Sequence, residues 1–141
     1  MAEYTAVQLQ TVEDGANVLF FEAPIESSRN NVTHRQGSGV FRLRGITNQC
    51  KARYRVSFGG NIAIPTGGTV GEISIALAID GEALASATAI VTPAAVEEFF
   101  NVFTAVFVEV PRGCCLTVAV ENTSDQAIDV QNANIIIERV C

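Results

Sequence analysis

The chain reads as an all-β fold of about eight to ten short antiparallel strands, packed as a sandwich or barrel. Three observations carry that reading. Apolar residues recur at every second position between turn signals along most of the chain, the spacing that sends alternate side chains to opposite faces of a strand. Asp80-Gly81 sits between two such runs, and this dipeptide suits a two-residue hairpin turn that needs positive φ at both central positions. No stretch keeps the period of an amphipathic helix. Only Pro93 to Phe100 competes, with Pro at a helix start followed by Ala94, Ala95 and Glu97-Glu98, and this predicts at most one turn before β-branched residues take over at Val102.

The best-determined element is the hairpin. Ile73, Ile75, Leu77 and Ile79 alternate with Ser74, Ala76 and Ala78, and the return strand runs from Glu82 to about Val91 before Thr92-Pro93. A simple two-residue turn sets Leu77 opposite Leu84 and Ala76 opposite Ala85, and leaves a second face rich in alanine. Tyr54, Val56 and Phe58 alternate with Arg53, Arg55 and Ser57, and Gly59-Gly60 predicts a break or bulge in that strand. Phe99 to Val110 is dense in aromatic and β-branched residues and ends at the Pro111-Arg112-Gly113 turn. Leu116, Val118 and Val120 form a further strand, and Ile128 to Val140 the last one. Val18 to Phe21 and Val40 to Leu43 are shorter candidates near the N-terminus. Nothing divides residues 1–141, so one domain is expected, with Met1 to Glu13 as a docking or arm segment.

Composition limits function more than it defines it. The 141 residues are 48 % hydrophobic and 17 % charged, which is apolar for a chain of this size and excludes a disordered tail. Fifteen acids against nine bases give a net charge of −6, which disfavours nucleic acid as a partner. The start lacks the basic and apolar regions of a secretory signal, and no apolar run is long enough for a membrane helix, so no membrane role is expected.

Chemistry-bearing residues are sparse. His34 is the only imidazole available to activate a Ser or Cys nucleophile, and it lies outside any nucleophile-elbow context; it reads as a surface or packing residue. Glu97 and Glu98 are adjacent, so on a strand they face opposite ways and form no dyad. No enzyme, cofactor or metal is therefore expected. Cys114-Cys115 lack the spacing of a zinc pair, and the oxygen-rich turn from Asn122 to Asp129 reads as a solvated turn rather than a calcium loop. Asn31-Val32-Thr33 and Asn122-Thr123-Ser124 match the glycosylation pattern and read as turns. Buried free thiols are the default for the cysteines, with a disulfide involving Cys50, Cys115 or Cys141 as the alternative. Arg42, Arg44, Lys51, Arg53 and Arg55 fall within fourteen residues. If their strands are neighbours they form a basic stripe, with Arg42, Arg44, Arg53 and Arg55 as candidates for docking an acidic partner; a solvated face paired with local acids is the plainer reading.

Three segments carry a family likeness. Cys50 to Pro65 resembles the central strand and following loop of C1q/TNF-like jelly rolls, Pro111 to Asn122 their penultimate strand, and Ala133 to Val140 their last, central one. The closer likeness is to bacterial and bacteriophage members, such as the C-terminal domain of the spore-surface collagen-like glycoprotein and short phage virion accessory proteins. The chain carries no Gly-X-Y stalk, which favours a compact decorating unit. The resemblance implies a two-sheet antiparallel jelly-roll sandwich that assembles as a homotrimer, and the apolar composition fits buried faces between subunits. The expected interface residues are Phe99, Val102, Phe103, Phe107, Ile135 and Ile137. The function so implied is that of a virion decoration or head-fibre protein, assembled in the bacterial cytoplasm and docked on a capsid or coat surface. The alternatives are a spore-layer or cell-surface structural protein, and a receptor- or glycan-binding module of the same fold.

Overall fold

The computed structural model describes residues 1–26 and 31–140. These residues form eleven β-strands and no helix: β1 Ala2–Ala6, β2 Gln10–Val12, β3 Glu22–Ile25, β4 Val32–His34, β5 Val40–Arg44, β6 Lys51–Ala63, β7 Ile73–Ile79, β8 Glu82–Val91, β9 Phe100–Pro111, β10 Cys115–Asn122 and β11 Ile128–Arg139. One sheet has the order β3-β1-β11-β6-β9, with β2 also paired to β11; the other has the order β4-β5-β10-β7-β8. All pairings are antiparallel. Among the described residues no helix is long and apolar enough to cross a membrane.

The core lies between the sheets and follows the alternation. Tyr54, Val56 and Phe58 of β6, Ile135 and Ile137 of β11, Phe41 and Leu43 of β5, and Ile73, Ile75 and Leu77 of β7 are fully buried. Phe20 packs edge-on against Phe41 and Phe58, with ring centroids 5.3 and 6.4 Å away. Each such side chain withdrawn from water contributes about 1.5–3 kcal/mol. Tyr54 keeps its polar tip satisfied by donating its hydroxyl to the Arg44 carbonyl at 2.6 Å, where the chain leaves β5. Burial pushes the Tyr54 phenol above its ordinary value.

The structure departs from the sequence pattern in several local details. Asp80 and Gly81 do adopt positive φ, 52° and 85°, and Ile79↔Glu82 and Ala78↔Ala83 pair as a two-residue turn requires. A bulge on β8 then shifts the register, so Ala76 faces Thr88 instead of Ala85. The glycines do not break β6, which runs unbroken for thirteen residues. The irregularity sits on β11 between Gln131 and Asn134, where Asn132 has φ 54°. Gly60 allows a close approach there: a Cβ would lie 3.2 Å from the Ala133 Cα, a tight contact. Val18 to Phe21 buries Val18 and Phe20 but forms no strand; its amides bond singly to the Val120, Ser38 and Thr5 carbonyls and to the Gln10 side chain. Residues 94–98 form no helix, and Glu97 takes φ 59°. Met1 to Glu13 is no arm: β1 pairs with β11 from Ala2↔Ile137 to Ala6↔Ala133, burying Ala2, Tyr4 and Ala6, and β2 pairs with β11 beyond it.

One buried polar side chain was not singled out by sequence pattern. Asn122 is fully buried, and its amide nitrogen donates to the carbonyls of Val12, Glu13 and Gln126 at 2.9 to 3.2 Å, while its Oδ1 accepts from the Ser124 amide at 2.9 Å. It ties the end of β10 to the end of β2 and the start of β11, so this Asn-Thr-Ser sequence presents no accessible acceptor. The Asn31-Val32-Thr33 sequence leads into β4. Asn122→Ala leaves buried carbonyls unpaired and should destabilise the fold by about 2–3 kcal/mol in urea unfolding, whereas Asp125→Ala in the exposed turn should change stability by less than about 0.5 kcal/mol.

Candidate functional site: the outer face of the six-stranded sheet

β9 is the edge strand of its sheet, paired on one side only, with β6. Its inward residues Val102, Thr104, Val108 and Val110 are buried, and its outward residues are Asn101, Phe103, Ala105, Phe107 and Glu109. Apolar residues do occupy both faces. Phe103 and Phe107 are 62 % and 64 % exposed, the most exposed large hydrophobic side chains described. Phenylalanine placed so openly on a regular strand points to something that covers it.

The register shows what surrounds the rings. Phe103 lies opposite Gly59, which in turn lies opposite Asn134. Lacking a side chain, Gly59 leaves a shallow floor next to the Phe103 ring; a Cβ there would meet that ring at 3.9 Å and Asn134 Oδ1 at 3.2 Å. The next outward row is Ala105, Ser57, Ile136 and Glu3, and the one after is Phe107, Arg55 and Glu138. Two rings therefore flank small residues, with polar groups toward the far strands. Asn134 donates to a Glu3 carboxylate oxygen at 3.3 Å.

The far end of β9 is charged. Glu109 accepts from Arg53 at 2.8 Å and from Lys51 at 3.1 Å, across the β6–β9 ladder. The hydrogen bond from Arg53, then that from Lys51, holds the Glu109 carboxyl below its ordinary range. All three side chains are well exposed, so the cluster adds little stability and acts as a polar border to the apolar patch.

The six expected interface residues thus separate. Phe103 and Phe107 lie on the open face, and Phe99, 39 % exposed, precedes β9 at its start. Val102, Ile135 and Ile137 do not belong there: they are 4 % exposed or less and form part of the core between the sheets. The parity is decisive, since a residue one step from an outward Phe or from Ile136 must point inward.

The basic stripe does not form. Arg42 and Arg44 lie on β5 in one sheet, Arg53 and Arg55 on β6 in the other, because the chain crosses between sheets from residue 45 to residue 50. The two pairs sit on opposite outer faces, and Arg53 is engaged with Glu109. His34 is half-buried, its Nε2 2.8 Å from the Ser38 carbonyl and its ring stacked on Phe41 at 4.4 Å. Among the described residues no group of three or more His, Cys, Asp or Glu is placed to hold a metal.

The cysteines gather at one end of the sandwich, a placement that sequence spacing could not show. Cys50 accepts the Arg112 amide through its carbonyl at 2.9 Å, and Cys114 accepts the Gly45 amide at 2.9 Å, joining the 45–50 crossover to the 111–114 turn. Cys50, Cys114 and Cys115 are free thiols, and the first two are exposed instead of buried; Cys141 lies outside the described residues.

Comparison with solved structures places this architecture. The chain superposes on Eiger TNF from S. frugiperda with a TM-score of 0.72, at 14 % identity, covering 100 % of this chain and 92 % of that one. The fold is a C1q/TNF-like jelly roll. The globular domain of zebrafish complement 1qA gives a TM-score of 0.58 at 9 % identity, with 96 % and 94 % covered. Murine APRIL gives 0.60 at 10 % identity, with 95 % and 97 % covered. No family model matches the chain, and no curated protein matches it in sequence. At these identities the likeness is one of fold. In the jelly roll, β11 and β6 occupy the middle of one sheet, as the resemblance of Cys50–Pro65 and Ala133–Val140 to central strands implies.

Two outcomes follow from the geometry. In an NMR titration the Glu109 carboxyl should keep its charge to a pH below the ordinary glutamate range. Its ion pairs are intact at pH values above the ordinary carboxylate range and are lost as pH falls through its depressed pKa; Arg53→Ala should raise that pKa more than Lys51→Ala does. With iodoacetamide under native conditions, Cys50 and Cys114 should alkylate before half-buried Cys115, as read by peptide mass spectrometry.

Proposed function

We propose that the protein is a non-enzymatic structural protein that assembles as a homotrimer and decorates a larger particle, a bacteriophage head in the preferred form. The observation that carries the assembly is the exposure of Phe103 and Phe107 beside the small-residue floor of Gly59, Ser57 and Ala105. Burying two phenylalanine rings contributes about 1.5–3 kcal/mol each. Their position on an edge strand suits a heterologous contact, in which the β9 edge of one copy meets the outer face of the next and the ring closes after three copies. It also covers the row of unpaired backbone groups that β9 otherwise exposes. The C1q/TNF-like resemblance implies the same trimer.

The choice of particle rests on the likeness of Cys50–Pro65, Pro111–Asn122 and Ala133–Val140 to phage and spore members. Exposed Cys50 and Cys114 favour the second reading, a spore-layer or surface coat, because thiols at one end of the sandwich are available to cross-link neighbouring units.

Light scattering behind size exclusion tests the assembly. The wild type should have a mass near 45 kDa, three times 15.0 kDa, with or without reductant. Phe103→Asp combined with Phe107→Asp should give a folded species near 15 kDa. A wild-type monomer refutes the trimer, and large species that collapse only on reduction favour the cross-linked coat. Co-sedimentation of the trimer with purified phage heads tests the docking.

A further inference from the structure

The open edge of the sandwich, lined by edge strands β3 and β4, holds a cleft of about 570 Å³. Tyr4 forms its inner wall, with its ring 4.8 Å from both His34 and Phe41. Glu22 at the start of β3 and Glu26 just beyond it line the cleft, as do Phe21 and Gln36. Phe21 is 46 % exposed and its ring lies over Gly37.

Three features of this cleft are left over from folding. Tyr4 is only 4 % exposed, yet among the described residues its hydroxyl has no hydrogen-bond partner, and the residue faces the cleft. Burial, then the charge of Glu26, pushes the Tyr4 phenol above its ordinary value, so the hydroxyl stays protonated at neutral pH. Two carboxylates line the cleft, and the described lining contains no lysine or arginine. The Tyr4 side chain is held in the wall while its oxygen is open to the cleft, so a donor that enters the cleft can bond to it directly.

We propose that this cleft binds an alkylammonium group. Glu22 and Glu26 supply the counter-charge, the Tyr4 oxygen accepts one ammonium N–H, and the Phe21 ring lies against the alkyl chain. An anion is repelled by the same two carboxylates, and a neutral alcohol gains only the hydrogen bond. The site goes beyond the assembly reading and does not depend on it, since every lining residue belongs to one copy.

Isothermal titration of the intact protein at low salt, with n-butylammonium chloride as the probe and n-butanol as its neutral match, tests the site. The ammonium should bind with a dissociation constant on the order of 1 mM, as fits a probe of five heavy atoms. Glu22→Gln combined with Glu26→Gln should weaken it at least tenfold, and Tyr4→Phe about threefold. Both glutamates are exposed, so the double variant keeps its fold, and circular dichroism confirms that for Tyr4→Phe. A titration with N-acetyl-lysine amide distinguishes the sources: tighter binding than butylammonium assigns the site to a partner's lysine, and equal binding to a free amine. The proposal is overturned if no saturable binding occurs, if butanol binds equally well, or if the double glutamine variant binds as the wild type does.

Discussion

The pairing of β6 with β9 on one side and β11 on the other is the interaction on which the rest of the structure depends. β6 spans the sandwich, and its register runs from Lys51↔Pro111 to Ile62↔Phe100 against β9 and from Ala63↔Asp129 to Tyr54↔Arg139 against β11. Because side chains alternate strictly along a strand, one register sets both faces at once. It buries Tyr54, Val56, Phe58, Ile135 and Ile137, and in the same step turns Phe103, Phe107, Arg55 and Ile136 outward. A slip of one residue would exchange core and outer face together, so the outer face is as strongly specified as the core.

The jelly-roll path supplies the second constraint. Strands consecutive in sequence, β5 and β6 or β9 and β10, lie in different sheets, while strands far apart in sequence become partners. This separates charges that look clustered, as with Arg42 and Arg44 against Arg53 and Arg55. It also gathers residues that look scattered: the 45–50 crossover, which carries Cys50, is bonded to the 111–114 turn, which carries Cys114. The polar fastenings sit where strands change sheets. Tyr54 holds the departure from β5 through the Arg44 carbonyl, and Asn122 holds the departure from β10 through the Val12 and Gln126 carbonyls.

The surfaces that remain differ in character. The outer face of the six-stranded sheet carries two exposed phenylalanines on β9, with polar side chains toward β11 and β1 and the Glu109 cluster at its border. The β3–β4 edge is concave and acidic, with an unpartnered phenol in its wall, which suits a small cationic group. They lie at opposite edges of the six-stranded sheet, β9 at one and β3 at the other, so occupation of one leaves the other free.

By itself the sequence determined the all-β class, the β7–β8 and β11 bounds to within a residue or two, the Asp80-Gly81 turn and the two-faced apolar character of β9. These are local properties, set by a period of two and by backbone preferences within a few residues. The resemblance of three segments added the jelly-roll topology. Tertiary structure alone decided which of two adjacent apolar residues faces outward, and so moved Val102, Ile135 and Ile137 from the expected interface into the core. It alone drew Met1 to Glu13 into the sheet, because pairing with β11 is a contact across nearly the whole chain. It alone revealed the Asn122 fastening and the Tyr4 cleft, since a lone Asn or Tyr carries no periodic signal, and the partners that give it meaning arrive only when distant strands pair.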